Sequence, residues 1–406
     1  MAADLERLDG LLAPEGQALL ARVSAADPGP GDILRISAEL RRGWPAELVA
    51  SALTQHELRR AAAAKFTRAG EMLFTRPGLE QASSESLARH RAARLAHRPG
   101  PVADLCCGIG GDLLALATGR EALAVDLDPV HLRLAAHNAA VYGAGPVQTR
   151  QADVREVELD GVAAAFVDPA RRAAGRRLPA GLSNPPLAWC LGLASRVAAV
   201  VVKAAPGLPR EAAPPGWELE LVAAGRGLKE AVLWSPALAT VARRATVLPT
   251  SATGRDPAGH TLTSAPGGGP GPEVPVAQPG AYLLDPNPAV TRAGLVRELA
   301  SQLGAWKLDE EIAFLSLDED VRSPFARTLR VLDSAPWNER QLAGRLRAHD
   351  VGEVQIRRRG LAGDIDRLQR RLRLDGTLRA TLVMTRLRDQ PWMLLCADAD
   401  VRDADT

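Results

Sequence analysis

The residues most able to do chemistry lie in one run, Val102-Ala-Asp-Leu-Cys-Cys-Gly-Ile-Gly-Gly-Asp112, in which an apolar strand enters a glycine turn and then the helical stretch Leu113–Ala117. Gly108, Gly110 and Gly111 remove Cβ atoms where the backbone must turn sharply and approach a ligand, and the following helix N-terminus offers unpaired N–H groups. Asp126 follows at the end of the next apolar strand, Leu123-Ala-Val-Asp-Leu-Asp128, where a carboxylate can accept both hydroxyls of a ribose. A dinucleotide fingerprint needs a third glycine three residues after Gly110, where this sequence has Leu113. Asp104 beside the turn would repel a pyrophosphate but suits an ammonium group. The ligand that fits is a nucleoside carrying an amino acid.

Two further strand ends follow in order. Asp153 comes after the strand expected at Val147–Arg150, placed to accept from an adenine amino group, and Ala163-Ala-Ala-Phe-Val-Asp-Pro-Ala-Arg-Arg172 delivers Asp168 and Pro169 to a sheet's carboxyl edge. Open α/β sheets bind ligands at that edge. Each aspartate alone reads equally well as a cap or turn acid; four consecutive strand ends converging on one crevice carry the reading.

The elements that must position them form an α/β domain, a Rossmann-like doubly wound sheet. Apolar runs at Val102–Cys106, Ala122–Val125, Ala163–Val167 and Val197–Val202 alternate with helical stretches between about residues 83 and 249. Residues 1–82 show apolar residues at helical spacing (Leu19, Leu20, Val23; Ile33, Ile36, Leu40; Val49, Leu53) and no visible chemistry. Residues 250–275, dense in Gly and Pro, read as a linker. Residues 276–398 read as a C-terminal α+β module, with a helix at Val290–Leu303, a strand at Val351–Arg358, a helix at Ile365–Leu374 and final strands at Arg379–Arg388 and Trp392–Ala397.

A chain of 406 residues, 46% hydrophobic and 24% charged, excludes disordered and fibrous classes. No run is apolar enough to span a membrane, and the N-terminus lacks the pattern of a signal peptide, so a cytoplasmic location is expected. Cys106, Cys107, Cys190 and Cys396 fit neither a disulfide framework nor a zinc spacing, and no metal is expected. The net charge of +2 names no polyanionic partner. Its distribution is more telling: between Val354 and Arg388 ten arginines stand against Asp364, Asp366 and Asp375. Clustered arginine suits phosphate, and a solvated helix face in an arginine-rich chain looks similar.

Taken together, Phe74, Ser84-Glu85, Asp104-Leu-Cys-Cys-Gly-Ile-Gly-Gly111, Asp126-Leu-Asp-Pro129 and Ala135-Ala-His-Asn-Ala-Ala-Val-Tyr-Gly143 resemble class I S-adenosylmethionine-dependent methyltransferases. Over residues 73–170 the resemblance is to the trimethylguanosine synthase-like RNA methyltransferases. It implies S-adenosyl-L-methionine as cofactor. Asp104, Cys106, Gly108, Gly110 and Gly111 would surround its methionine part, Asp126 its ribose, and Leu127 and Asp153 its adenine. A helix begun near Ser83 or Ser84 would cover it.

The fourth strand departs from the amine-methylating pattern of such enzymes. It carries Asp168-Pro-Ala-Arg171, without the second proline and the aromatic, so Arg171 is expected to stack on a base or hold a phosphate. Asp168, Pro169 and Arg171 are the catalytic candidates, with Arg172 and Lys203 at the substrate mouth. Asn184-Pro-Pro-Leu187 reads as a loop, Cys190 as packing rather than as a nucleophile, and Lys229-Glu230 as a solvent-exposed pair.

Tyr282-Leu-Leu-Asp-Pro-Asn-Pro-Ala-Val-Thr-Arg-Ala-Gly-Leu295 and Glu353-Val-Gln-Ile-Arg-Arg-Arg-Gly360 resemble the THUMP-like domain that follows the methyltransferase fold in a group of bacterial proteins. That resemblance implies RNA as partner, and the arginine cluster makes Arg357, Arg358 and Arg359 the expected phosphate contacts. The expected activity is methyl transfer to structured RNA, rRNA or tRNA. The alternatives are methylation of a small molecule or protein, and a non-catalytic RNA-binding protein that retains the cofactor fold.

Overall fold

The computed structural model describes residues 2–170, 172–173, 176–177, 183–250 and 259–398. Contacts divide the chain into two compact units. The first comprises Met1–Glu218, Glu230–Ala239 and Leu248–Gly259; the second comprises Leu219–Lys229, Thr240–Val247 and His260–Thr406.

The first unit opens with helices α1 (Ala2–Leu12), α2 (Pro14–Ala26), α3 (Ile33–Leu40), α4 (Ala46–Ala62), α5 (Arg76–Gln81) and α6 (Glu85–Leu95). There follow β1 (Val102–Leu105), α7 (Leu113–Leu116), β2 (Ala122–Asp126), α8 (Pro129–Val141), β3 (Val147–Gln151) and β4 (Ala164–Val167). A two-residue pair, β5 (Arg172–Ala173) and β6 (Arg176–Arg177), precedes α9 (Leu187–Gly192) and β7 (Ala199–Ala204). β8 (Glu218–Ala224), β9 (Gly227–Trp234), β10 (Arg243–Leu248) and β11 (His260–Thr263) complete a nine-stranded sheet in the order β11-β10-β8-β9-β7-β4-β1-β2-β3. Of these last strands, all of β8 but Glu218, the start of β9 (Gly227–Lys229), all of β10 but Leu248, and β11 are counted with the second unit.

Strands β3, β2, β1, β4 and β7 are parallel and β9 is antiparallel to β7. Every residue of β1 and β4 is buried, as a strand covered on both faces requires, and this is why they read as unbroken apolar runs. The strand order reverses direction between β1 and β4, the switch point at which such sheets open a crevice.

The N-terminal helices share their core with this sheet's first loop and helices: Leu19, Val23, Leu53, Phe66, Met72 and Phe74 pack in one cluster with Ile109, Leu114 and Leu134. Two buried amides lock the extended segment before α5 into place. Gln55 exchanges hydrogen bonds with the Phe74 backbone (2.8 and 2.9 Å), and Asn138 on α8 accepts from Leu73 N (2.9 Å) while donating to the carbonyls of Leu73 and Ile109 (3.0 and 2.9 Å). A polar residue at Asn138 is therefore what ties the helical region to the glycine turn.

In the second unit, β12 (Tyr282–Pro286), α10 (Pro288–Ala293), α11 (Val296–Leu303), β13 (Trp306–Lys307), β14 (Leu315–Leu317) and β15 (Ala326–Pro336) are followed by α12 (Glu339–Ala348), β16 (Val351–Arg358), α13 (Ile365–Arg371), β17 (Leu378–Leu387) and β18 (Gln390–Asp398). The seven strands run in the order β13-β14-β12-β15-β18-β17-β16. Period-two alternation splits β17 between two cores: Leu382 and Met384 pack with Leu342 and Leu346 of α12 and Leu368 of α13, and Val383 packs with Leu283 and Leu329.

Two expectations change. The Gly/Pro-rich stretch at 250–275 is not wholly a linker, because His260–Thr263 pairs antiparallel with β10; residues 251–258 lie outside the described residues. The single helix expected at Val290–Leu303 is two, since Gly294 takes a left-handed conformation (φ 70°) and ends α10. Among the described residues no helix is long and apolar enough to cross a membrane, and no group of three or more His, Cys, Asp or Glu side chains is arranged to hold a metal.

Candidate active site

A cavity of about 400 Å³ opens at the carboxyl ends of β1, β2 and β4, lined by Asp104, Cys106, Gly108, Gly111, Asp112, Asp126, His131, Asp168 and Pro169, with Gly78 to Ser83 on another side. The turn after β1 shapes its floor. Cys106 and Gly108 both have positive φ (64° and 53°), and a Cβ on Gly108 would meet nothing within 4 Å, so hydrogen in place of a side chain keeps this face of the turn open. Gly110 serves packing instead: a Cβ there would stand 2.9 Å from the Ala135 Cα, and Gly110 is not part of the lining.

Asp104 is fully buried, and among the described residues neither of its carboxylate oxygens has a hydrogen-bond partner. Burial, then the charges of Asp112, Asp168 and Asp126, hold its pKa well above the usual carboxylate range. Such an acid is costly to keep without a partner, and it stands where an ammonium group entering the cavity would complete it. Asp126 is anchored instead. Its Oδ2 accepts from Gly108 N and its Oδ1 from Asp128 N, both at 2.9 Å, and His131 Nδ1 lies 3.5 Å from Oδ1. Burial works to raise this carboxyl's pKa, but hydrogen bonds from His131, Asp128 and Gly108 outweigh it and the net shift is downward. The same hydrogen bond raises the His131 pKa against its burial. Asp126 can therefore present a fixed carboxylate to a pair of hydroxyls.

Under the cavity lies a network of buried charge. Arg91 of α6, fully buried, is clasped by Asp112 and Glu230 and faces the Phe166 ring at 5.3 Å from its centroid. Burial would lower the guanidinium's pKa; Asp112 and Glu230 outweigh it and raise it. Lys203 at the end of β7 donates to Asp168 Oδ2 at 2.5 Å and to Ser83 Oγ at 3.0 Å. Its ammonium is likewise depressed by burial but raised on balance by Asp168, Asp112 and Glu230. Asp168 is thus held as an ion pair, with Oδ2 tied back and, among the described residues, Oδ1 accepting no hydrogen bond.

The structure brings together Asp104, Cys106, Gly108, Gly111, Asp126, Asp168 and Pro169. Ser84, Leu127 and Asp153 are not in the lining. Ser84 occupies the N-cap position of α6 without a capping bond, its Oγ 3.0 Å from that of Ser86. Leu127 is 62% exposed beside Asp126. Asp153 caps a short 3₁₀ turn and pairs with Arg155, whose hydrogen bonds lower its pKa to about 2. Lys203, expected at the substrate mouth, is buried beneath Asp168, and Glu230, expected exposed, is buried against Arg91. Arg171 and the Arg172 side chain lie outside the described residues. Burial pushes the Cys106 and Cys107 thiols up and Cys190 to about 12, so none is poised as a nucleophile. The Asn184 loop reaches the site's edge, its backbone paired with that of Ala170 at 2.9 Å in both directions.

Arg91, Asp112 and His131 were not foreseen, nor was the hydrogen bond from Lys203 to Ser83. His131 carried a signal, since it sits two residues into the helix after Asp126-Leu-Asp-Pro129, on the first turn over the carboxylate.

Comparison with known proteins agrees with this geometry. Residues 100–172 match the family model described as RNA cap guanine-N2 methyltransferase, residues 326–398 the THUMP domain-like model, and residues 4–62 a domain of unknown function. A structure described as a methyltransferase from Porphyromonas gingivalis W83 shares the fold, with a TM-score of 0.71 over 92% of this chain and 100% of that one at 20% identity. Two Mycobacterium tuberculosis proteins, from strains CDC 1551 / Oshkosh and ATCC 25618 / H37Rv, are each described as an uncharacterized S-adenosylmethionine-dependent methyltransferase. Each is 37% identical over 342 residues, covering 81% of this chain and 90% of its own length. With that identity over most of both chains, the chain belongs to the S-adenosylmethionine-dependent methyltransferases that carry a THUMP-like domain.

Proposed function

We propose that this methyltransferase modifies structured RNA, rRNA or tRNA, which the C-terminal THUMP-like module presents to the cavity. The observation that carries the reading is the exposed arginine of that module. Of the ten arginines between 354 and 388, only Arg359 and Arg386 are half-buried and the other eight are exposed. Guanidinium groups in that density favour a phosphate backbone.

The cofactor supplies an electrophilic methyl group on a sulfonium sulfur. In this reading Asp104 takes its ammonium group, the backbone at Cys106, Gly108 and Gly111 lies along its methionine portion, Asp126 accepts the ribose hydroxyls, and Leu127 covers the adenine with its exposed apolar side chain. Gly110 packs the turn, and Asp153, engaged by Arg155, holds the chain that follows β3. Ser84 sets the start of the helix over the site. Asp168, held in place by Lys203, offers Oδ1 to a hydrogen on the accepting atom and so aligns it for in-line displacement. Pro169 stiffens the strand end, and Arg171 and Arg172, which follow it in the sequence, are the substrate-contacting candidates. Positioning and exclusion of water are the main sources of acceleration.

The test is mass spectrometry of modified nucleosides in total RNA from a strain lacking the gene. One methylated nucleoside should disappear, return with the wild-type gene, and not return with Asp168→Ala. An unchanged nucleoside profile overturns RNA as the substrate.

A further inference from the structure

The run Arg357-Arg358-Arg359 looks like one basic patch, and the strand pleat divides it. On β16 the side chains of Val354 and Ile356 pack into the core with α12 and α13, and Arg358, in phase with them, donates to the carbonyl of Gly363 just before α13. Gln355 and Arg357 alternate to the opposite face, where Gln355 Oε1 accepts from Arg327 Nη1 at 3.4 Å. Arg359, beyond the strand, lies over the Phe314 ring at 4.8 Å and places Nη2 3.5 Å from Asp285 Oδ1, while its Nη1 is buried without a partner among the described residues.

Asp285 gathers this group. It is 6% exposed. Its Oδ2 accepts from Arg226 Nη2 at 2.7 Å, its Oδ1 faces Arg359, and the register of β12 with β15 sets Arg327 directly opposite it. Arg226, on the β8–β9 turn, also donates to the Asp285 carbonyl. Its pKa is lowered first by burial and, against the pull of Asp285, by the positive charges of Arg357, Arg327 and Arg359. Arg226 and Arg359 thus share Asp285, Arg327 pairs with Asp398, and Arg357 adds its charge to the group through its effect on Arg226. Two positive charges remain uncompensated, and Arg357 makes no hydrogen bond or ion pair among the described residues.

We propose that Arg226, Arg327, Arg357 and Arg359, organised on Asp285, form a single site for the phosphodiester backbone of RNA, and that Arg358 is not part of it. Planar guanidinium forks from three separate parts of the chain converge where a tetrahedral anion can be held by several at once. The site rests on the RNA reading above and adds to it a location that linear charge density does not give.

The experiment measures binding of labelled, unfractionated tRNA and rRNA from a strain lacking the gene to the full-length protein, as a function of salt. Each phosphate contact contributes about 0.7 to 0.9 to the log–log slope. Arg226→Ser with Arg357→Ser should flatten the slope by about 1.4 to 1.8, so that the loss of affinity between about 50 and 200 mM salt shrinks roughly tenfold. Arg358→Ser should leave slope and affinity at the wild-type values. Arg357→Ser alone, at an exposed position that disturbs no buried pair, should flatten the slope by about half as much as the double change. S-adenosylmethionine affinity, measured by calorimetry, should be unchanged in all three. If Arg358→Ser flattens the slope as much as Arg357→Ser, or the double variant binds as wild type does, the site is refuted while RNA binding stands. Wild-type protein that binds neither RNA overturns the RNA reading and this site with it.

Discussion

Replacing Asp126 with alanine tests the cofactor assignment at the residue whose geometry is best defined. Each of its oxygens already accepts one backbone N–H, from Gly108 and from Asp128, at 2.9 Å; Oδ2 keeps a lone pair for the cavity it lines, and Oδ1 has besides only the 3.5 Å contact with His131 Nδ1, which a hydroxyl can displace. Two vicinal hydroxyls would therefore make two charge-assisted hydrogen bonds. Such bonds contribute roughly 1.5–3 kcal/mol each when well shielded. This carboxylate is half-buried beside an open cavity, so the pair should be worth about 2–4 kcal/mol, a 30- to 1000-fold loss of affinity. Asp126→Asn keeps one acceptor oxygen but turns an amide N–H₂ toward a backbone donor; it should cost about half as much, roughly 5- to 30-fold. Isothermal titration with S-adenosylmethionine and S-adenosylhomocysteine reads both variants, and a melting curve confirms that freeing Gly108 N and Asp128 N leaves the fold intact. A folded Asp126→Ala protein that binds within about threefold of wild type would refute the ribose assignment.

Three other outcomes follow from the same network. Lys203→Met should leave cofactor affinity within a few-fold and cut turnover on RNA by about 100-fold, because Asp168 loses its only described side-chain partner; Lys203→Arg should restore part of the turnover, and equal rates in wild type and methionine variant would remove Lys203 as a positioning residue. Arg91→Met strands the buried carboxylates of Asp112 and Glu230 and should destabilise by about 3–5 kcal/mol in chemical denaturation; adding Asp112→Asn and Glu230→Gln should recover much of the loss, and an unchanged midpoint for the single variant would refute the pairing. The folded-state pKa of His131 is raised and that of Asp126 lowered. The pair's stabilisation is therefore complete below the unfolded histidine value of roughly 6.5, is lost as pH rises through the folded one, and is lost again as pH falls through the lowered carboxyl value. The melting temperature of His131→Gln should trail wild type most between about pH 4 and 6.5 and converge with it at higher pH; a gap independent of pH would refute the pairing.

What could be read from the sequence divides along a physical line. A parallel strand buried on both faces has no choice but a continuous apolar run, so β1, β2, β4 and β7 were legible to within two or three residues at each end. The turn after β1 was legible because Gly108 and Gly110 take the left-handed backbone that favours glycine (φ 53° and 82°), although Cys106 adopts it too. The strand β15 was not, because a register shift between Val331 and Asp333 breaks the alternation that marks a strand. Buried charge was the main omission. The helix Glu85–Leu95 presents Arg89, Arg91 and Arg94, any of which reads as a solvated face, and only its packing shows that Arg91 points inward. Glu230 carried a faint signal, being in phase with the buried Val232 and Trp234, but its partner lies 139 residues away in the chain. Linear proximity misled in the opposite sense at Arg357-Arg358-Arg359, where neighbours in sequence separate and Arg226 joins them from the β8–β9 turn.

The buried network also supports the ligand placement proposed for the cavity. Arg91 is consumed by Asp112 and Glu230, and Lys203 by Asp168, so neither cation is free to answer the remaining acids. That leaves Asp104, which has no hydrogen-bond partner among the described residues, and Asp126, whose bonds come from backbone and a histidine. A site with an unanswered carboxyl group at Asp104 and a hydroxyl-accepting carboxylate at Asp126 would be stabilised by a ligand that brings an ammonium group and a ribose together. A pyrophosphate, lying between these same acids, would be repelled along its whole length. The glycine turn is common to both classes of nucleotide site; in the reading proposed here Asp104 makes the choice between them, because Arg91 and Lys203 are already paired elsewhere.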